Sequence, residues 1–194
     1  MPKRAPASPL VLLTVGHSTR SLETFIELIK AYDVKRLVDV RTVPRSRHNP
    51  QFNKEILPES LAAWGINYVH LPGLGGPRHP RHDSPNTGWR NSSFRGFADY
   101  MQTAPFEEIL EELLDLARRQ RLAIMCAEAA PWRCHRSLIA DALVVRGIRV
   151  EHIISATRRN QHALTPWARV EGAVITYPPV SLALGFESNN REGP

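Results

Sequence analysis

The stretch that decides the fold is residues 121–152, RLAIMCAEAAPWRCHRSLIADALVVRGIRVEH. Its apolar run Leu122–Cys126 is typical of a buried strand, and the apolar spacing across residues 134–146 predicts a helix. Gly147 ends that helix, and residues 148–154 form the next predicted strand. Because a loop and a helix separate the two strands, the stretch predicts a parallel crossover unit.

The N-terminal part of the chain repeats this pattern. Residues 10–15 and 36–41 are predicted strands, and Ser21 is the predicted cap of the helix between them. A short helix at residues 56–64 then leads to a third strand at residues 66–71. Right-handed crossovers between such strands make them parallel neighbours in one sheet.

Two further helices, at residues 94–101 and 106–120, precede the central stretch. The pattern predicts an α/β fold, a three-layer α/β/α arrangement with a mainly parallel sheet, in a single domain over residues 10–178. Residues 165–178, TPWARVEGAVITYP, are expected either to add an edge strand or to wrap the body.

Composition limits the classes of function. The 194 residues are 42% hydrophobic, which is enough for a core, and 25 basic against 19 acidic side chains give a net charge of +6. That charge favours an anionic small molecule or a nucleic acid as partner. Two cysteines indicate a reducing, cytoplasmic setting, and no apolar stretch is long enough to predict a membrane span. Residues 1–9 are predicted to be a mobile lead and residues 179–194 a disordered tail.

The loop at residues 127–133 is the predicted site. It follows the carboxyl end of a strand and precedes the amino end of a helix, where open α/β sheets bind ligands. Cys134 and His135 are the predicted catalytic pair, because a helix amino terminus and basic neighbours favour a thiolate. Arg136 is expected to bind substrate beside them. Glu128 is a candidate general base or, alternatively, the partner of an arginine.

Cys126 ends the apolar strand, where a cysteine is commonly a small core residue, so a structural and a reactive role both stay open. A metal is an alternative, because Cys126, Cys134 and His135 with His17 supply soft ligands. The spacing Cys-x7-Cys-His is not a strong metal motif, however, and adjacent ligands need awkward side-chain directions. The sequence therefore predicts no metal site and assigns no cofactor.

A basic cluster follows the second predicted strand. Arg41, Arg45 and Arg47 are predicted to bind an anionic substrate, because a guanidinium group matches phosphate oxygens with two hydrogen bonds. A solvated surface loop is the alternative interpretation. Asp39 lies two residues before Arg41, so both side chains are expected on the same face of the strand and in contact.

His17 ends the first predicted strand, where it is a candidate catalytic histidine, a cap or a core residue. His70 is a candidate for substrate binding at the edge of the pocket. The aromatic residues Trp89, Trp132 and Trp167 are scattered along the chain. They do not predict the alternation of aromatic and basic residues that binds single-stranded nucleic acid.

Ten short motifs follow one another in order: VGHST at 15–19, LVDVR at 37–41, PRSR at 44–47, GINY at 65–68, HLP at 70–72, LGG at 74–76, CAE at 126–128, CHR at 134–136, HALT at 162–165 and YP at 177–178. With these motifs the chain resembles the DUF488 family over about residues 11–178. The resemblance implies a cytoplasmic α/β domain and marks the same strand-end loops. The family is named for unknown function, so the resemblance implies no catalytic residue.

A weaker, topological similarity is to rhodanese-like and cysteine-phosphatase domains. The LVDVR strand and the strand ending in Met125-Cys126 resemble theirs. The loop at residues 127–133 departs from theirs because it contains no glycine, and an anion-cradling loop needs residues that adopt positive φ at low cost.

The function predicted from the sequence is an enzyme that acts on a phosphate-bearing or other anionic substrate at the carboxyl edge of the sheet. Cys134 and His135 perform the chemistry in this hypothesis, and the arginine cluster binds charge. The alternative is a noncatalytic nucleic-acid-binding or accessory protein that uses the same basic surface. Affinity that falls steeply with salt, without turnover, favours the alternative.

Overall fold

The computed structural model describes residues 10–179. A six-stranded sheet runs through the centre of the fold in the order β3-β2-β4-β1-β5-β6. All neighbouring strands are parallel except β5 and β6, which are antiparallel. The strands are β1 (Val11–Gly16), β2 (Arg36–Asp39), β3 (Asn67–His70), β4 (Leu122–Cys126), β5 (Arg149–Ile153) and β6 (Arg159–Gln161).

Within residues 10–179, five α-helices connect and cover these strands. They are α1 (Leu22–Lys30), α2 (Leu57–Ala62), α3 (Ser92–Tyr100), α4 (Ala104–Arg119) and α5 (Arg136–Val144). Helix α1 begins where predicted, because the hydroxyl of Ser21 accepts a hydrogen bond from the amide of Thr24 at 3.2 Å. In the described residues, no helix is long and apolar enough to cross a membrane.

Two apolar clusters lie on opposite faces of the sheet, and they make the three predicted layers. In β1, Leu13 and Val15 pack with α1 and α2, whereas Leu12 packs with α3, α4 and α5. The central strands β1, β2, β4 and β5 are buried along most of their length for this reason, which explains the continuous apolar run of β4. The predicted α/β fold with a mainly parallel sheet is confirmed.

The structure differs from the sequence prediction at several element ends. Strand β2 stops at Asp39 because the amide of Arg41 turns back to the Asp39 carboxylate at 3.0 Å. Helix α5 starts two residues later than predicted, because Pro131–Arg133 forms a 3₁₀ turn. One edge of the sheet is the unpredicted strand β6.

The remaining terminal predictions have mixed outcomes. Residues 165–178 contain a separate hairpin of β7 (Arg169–Glu171) and β8 (Val174–Thr176), which adds no strand to the main sheet. The predicted mobile lead, residues 1–9, lies outside the described residues, as does all of the predicted disordered tail except residue 179. The assignment of residues 10–178 to a single domain stays a prediction.

Parallel strands bring the loops after β1 and β4 to the same edge of the sheet. Backbone hydrogen bonds join them, from the amide of His17 to the carbonyl of Cys126 at 3.0 Å and from Ser18 to Ala127 at 2.9 Å. Gly16 permits this contact, because a Cβ atom there would lie 1.9 Å from the Glu128 carbonyl oxygen. The site is built where these loops meet.

We therefore predict that Gly16→Ala lowers the free energy of unfolding by about 1–3 kcal/mol, because a methyl group would collide with backbone atoms that cannot move independently. Urea denaturation measures the change. Gly73→Ala is the matched control, since the nearest atoms to its Cβ are side-chain atoms of Ile109, at 3.0 Å or more, and not backbone. Equal losses for the two variants would contradict the proposed role of the close loop contact.

Candidate functional site

A cavity of about 820 Å³ opens at the carboxyl edge of the sheet. The loops after β1, β2 and β4 supply most of its walls, as expected for a parallel α/β sheet. Six of the wall residues carry ionisable groups: His17, Arg41, Arg45, Cys126, Glu128 and His135. Sequence reasoning predicted five of these six as site residues and left the role of Cys126 open.

The buried ion pair of Asp39 and Arg41 anchors one wall. Arg41 donates from Nε at 2.9 Å and from Nη2 at 2.6 Å to the two carboxylate oxygens, and its Nη2 also donates to the Phe52 carbonyl at 2.7 Å. The Tyr68 hydroxyl donates to Asp39 at 2.8 Å. The predicted pairing is present, and it leaves few Arg41 donors for a substrate.

His17 is held in a single orientation. Its ring stacks on Phe52 with centroids 4.2 Å apart, and its Nδ1 lies 2.8 Å from the Ser18 carbonyl. A carbonyl only accepts, so Nδ1 carries the proton and Nε2 accepts from Arg41 at 3.2 Å. Burial is the main cause that lowers the pKa of His17 to about 4, so the ring is neutral at pH 7. Both nitrogens are engaged with protein groups.

Three side chains from the central stretch form what we call the thiol–imidazole cluster: Cys126, Cys134 and His135. One donor atom from each lies within 4.8 Å of the other two, and all three residues are buried. Cys126 and His135 line the cavity, whereas Cys134 is only 3% exposed and is not part of the wall. The helix terminus therefore faces the pocket through His135 and not through the Cys134 sulfur.

The two thiols differ in acidity because they interact with each other. The hydrogen bond from Cys126 is the largest cause that lowers the pKa of Cys134, and His135 and Arg136 lower it further. The same bond and burial raise the pKa of Cys126. Cys134 is therefore the thiolate-favouring member, the direction expected for a cysteine that precedes a helix.

Arg136 is turned into the protein. It is 1% exposed, and its Nε donates to the Cys134 sulfur at 3.3 Å. Its other nitrogens donate to the hydroxyl of Thr14 at 3.3 Å and to the carbonyl of Glu128. Its guanidinium group is hydrogen-bonded to protein acceptors and does not line the cavity. It contacts the cluster on the side away from the cavity.

The other predicted site residues separate into two groups. Arg45 and Glu128 are exposed on the cavity wall, and the Arg45 guanidinium contacts no polar partner among residues 10–179. Arg47 is exposed on the same loop but is not a wall residue. His70 lies outside the wall, where its Nε2 is 2.8 Å from the Arg41 carbonyl and its Nδ1 3.3 Å from Lys54.

A buried hydrogen-bond chain behind the cluster was not predicted. It leads from Arg136 through Thr14 to Nδ1 of His152 at 2.8 Å, from His152 to His162 at 2.9 Å, and from His162 to Asp141 at 2.8 Å. Nε2 of His152 donates to Nδ1 of His162, and Nε2 of His162 donates to the Asp141 carboxylate, so the donors of the chain point toward Asp141. Burial is the main cause that lowers the pKa of His152 to about 3.

A signal for this chain exists in the sequence. Asp141 interrupts the apolar positions of α5, and a buried carboxylate requires partners. Those partners come from after β5: His162, Thr165 and Tyr177 all donate to it. The partners are distant in sequence, so only the three-dimensional structure identifies them.

Tryptophans that are scattered in the sequence meet at a second cavity of about 360 Å³. Trp89, Trp132 and Trp167 line it together with His152 and His162. The ring centroids of Trp89 and Trp167 are 5.2 Å apart with an edge-on contact. This cavity is adjacent to the buried hydrogen-bond chain and has no counterpart in the sequence prediction.

These features define an α/β protein with a thiol–imidazole cluster at the carboxyl edge of a parallel sheet. Residues 21–143, well over half of the chain, match the family described as "Domain of unknown function DUF488". The chain belongs to the DUF488 family, as its motifs indicated. No curated protein and no solved structure matches it, so the rhodanese-like similarity gains no support from these comparisons.

The buried ion pair yields a stability prediction. Asp39→Asn is expected to lower the free energy of unfolding by about 3–5 kcal/mol, because it leaves the Arg41 charge buried without its counterion. Asp33→Asn is the control, since Asp33 pairs with Lys35 on the surface at 2.8 Å and should leave stability close to that of the wild type. Thermal and urea unfolding measure both variants, and similar losses would contradict the assigned role of burial.

The two neutral histidines yield a pH prediction. The folded-state pKa values of His17, about 4, and His152, about 3, lie below the ordinary value of 6.5, so the unfolded chain binds more protons between these limits. Their contribution to stability is therefore complete above pH 6.5 and is lost as the pH falls. Each histidine should lower the free energy of unfolding by about 2 kcal/mol between pH 7.5 and pH 5.

Urea unfolding at several pH values between 7.5 and 5 tests this expectation. In His152→Gln, the slope of unfolding free energy against pH should decrease, because the variant removes one buried proton acceptor. The same substitution at exposed His48 controls for the loss of a titratable group. A His152→Gln slope equal to that of the wild type would show that the buried ring is not responsible.

Proposed function

We propose that this protein is an enzyme that acts on a phosphate-bearing or other anionic substrate in the cavity at the carboxyl edge of the sheet. The observation that carries the proposal is the position of Arg45. Its exposed guanidinium has no polar partner among the described residues and shares a cavity wall with Cys126 and His135. A charged binding group and two members of the thiol–imidazole cluster therefore face one cavity.

The contacts of each arginine favour a division of roles. Arg45 has all of its donors available for substrate oxygens, and a fork of this kind binds phosphate with two hydrogen bonds. Arg41 is held by Asp39 and His17, so it supports the wall and contributes at most its remaining Nη1 proton. Arg136 acts on Cys134 and not on the substrate.

The thiol–imidazole cluster supplies the chemistry in this proposal. His135 and Cys126 reach the cavity directly, and Cys134 lies behind them with the lowered pKa. A direct attack by the Cys134 sulfur on a substrate in the cavity is disfavoured by its burial, although the sequence alone made it the first candidate. The cluster therefore meets a substrate through Cys126 and His135, while Cys134 carries the thiolate character behind them.

The second candidate is a noncatalytic nucleic-acid-binding or accessory protein that uses the same basic surface. The net charge of +6 and the exposed Arg45 and Arg47 support it. The two candidates differ in the shape of the ligand they require. A concave site of about 820 Å³ suits a small molecule, whereas nucleic acid needs an extended basic surface with aromatic contacts.

Arg45→Ala should weaken binding of inorganic phosphate or sulfate by roughly ten- to a hundredfold, because a charge-assisted hydrogen bond contributes about 1.5–3 kcal/mol. Isothermal titration calorimetry or phosphorus NMR measures the affinity. Arg47→Ala is the matched control, because it removes the same charge from the same loop but not from the cavity wall.

Equal effects of the two substitutions would indicate a diffuse basic surface and would contradict a localised anion site. A steep fall of DNA or RNA affinity with salt, without turnover of small phosphate esters, would support the nucleic-acid alternative. Saturable turnover of an anionic ester that is lost in Cys126→Ala would support the enzyme.

A further inference from the structure

We infer that the thiol–imidazole cluster of Cys126, Cys134 and His135 binds one thiophilic divalent cation of the Zn²⁺ type. A tetrahedral zinc site with two sulfur ligands and one imidazole nitrogen places its ligand atoms roughly 3.5–3.8 Å apart. The Cys134 sulfur and His135 Nδ1 are already 3.7 Å apart, and all three donors lie within 4.8 Å of one another. Small side-chain rotations bring them onto one ion.

Consecutive residues supply two of these ligands because the backbone changes direction between them. Cys134 is extended, with φ −132° and ψ 142°, whereas His135 is already helical, with φ −56° and ψ −13°. The change turns both side chains toward Cys126 at the end of β4. This local geometry removes the objection that adjacent ligands must point in different directions.

The imidazole of His135 is the independent observation that indicates a ligand. The residue is 9% exposed, and among residues 10–179 its Nδ1, the proposed ligand atom, meets only the weakly bonding sulfur of Cys134, while its Nε2 is buried without a hydrogen-bond partner. A buried polar ring without a strong partner is costly in a folded protein. Gly76 packs against this ring, where a Cβ atom would lie 2.5 Å from Nδ1, so the ring has little freedom to seek another partner.

The surrounding charges suit such an ion. Two thiolates balance a divalent cation, and the Arg136 Nε donates to the Cys134 sulfur at 3.3 Å, a contact of the kind that orients and tunes metal ligands. Two thiolates and one divalent cation sum to zero, so the charge that remains at the site is that of the Arg136 guanidinium group. Sulfur and imidazole ligands select zinc and similar soft ions, not magnesium or calcium.

The fourth coordination position would open toward the cavity, because Cys126 and His135 are wall residues. Three protein ligands and one open position are typical of catalytic zinc sites. The ion would then act as a Lewis acid toward an anionic oxygen of the substrate. This last role rests on the proposed function, whereas binding of the ion does not.

The experiment uses the full-length protein, treated with a chelator and kept reduced with a phosphine so that no disulfide competes. Titration with Co²⁺ should give a sulfur-to-cobalt charge-transfer band and the intense visible bands of tetrahedral cobalt. These bands should saturate at one ion per chain, and one equivalent of Zn²⁺ should abolish them. Absence of these bands, with both thiols reduced, would overturn the inference.

Substitutions identify the ligands. Cys126→Ser, Cys134→Ser and His135→Asn should each weaken Co²⁺ affinity by more than the ten- to hundredfold that loss of a supporting contact produces. His70→Asn is the control, because His70 lies at the same sheet edge but outside the cluster. Cobalt affinity that is unchanged in the three variants would contradict the assignment.

Wild-type protein provides a test that does not depend on how the variants fold. Zn²⁺ should protect Cys126, the thiol on the cavity wall, from iodoacetamide, and a chelator should restore its labelling; labelling of Cys126 that is equal with and without Zn²⁺ would overturn the inference. Anion binding is measured separately in metal-free protein. Intact Arg45-dependent phosphate binding without a cobalt spectrum would refute only the ion site, and the reverse result would refute only the anion site.

Discussion

The buried guanidinium group of Arg136 is the constraint on which the rest of the site depends. A charge at 1% exposure must be satisfied by surrounding acceptors. Three come from different elements: the hydroxyl of Thr14 in β1, the carbonyl of Glu128 in the loop after β4, and the sulfur of Cys134 before α5. One side chain thus ties two neighbouring strands and a helix terminus to a single point.

The same organisation explains why the site has a rigid interior and an accessible wall. Arg136 and Arg41 donate their hydrogen bonds to protein acceptors. Arg136 thereby orients Cys134 in the cluster, and Arg41 orients the His17 ring. Arg45 and Glu128 remain exposed at the cavity. Buried arginines therefore hold the site together, whereas an exposed arginine is available to a ligand. The sequence pattern alone does not distinguish the two kinds.

Sequence reasoning predicted the layers and the site edge because these depend on local periodicity. The apolar run of β4, the Ser21 cap and the Asp39–Arg41 pairing all follow from residues close together in the chain. It left the role of Cys126 open, because a cysteine at a strand end suits the core as well as a cavity wall. It missed the partners of Asp141, because tertiary contacts bring them from distant segments.

The origin of those partners limits how this protein can be divided. The family match ends at residue 143, whereas the hydrogen-bond donors to Asp141 come from His162, Thr165 and Tyr177. Strands β1 and β5, which pair with each other in the sheet, also lie outside the match. The family segment is therefore not an autonomous module: insertion into another chain would transfer a buried carboxylate without the residues that solvate it. A segment that carries a complete site must therefore include β1 before the match and the residues from β5 to Tyr177 after it.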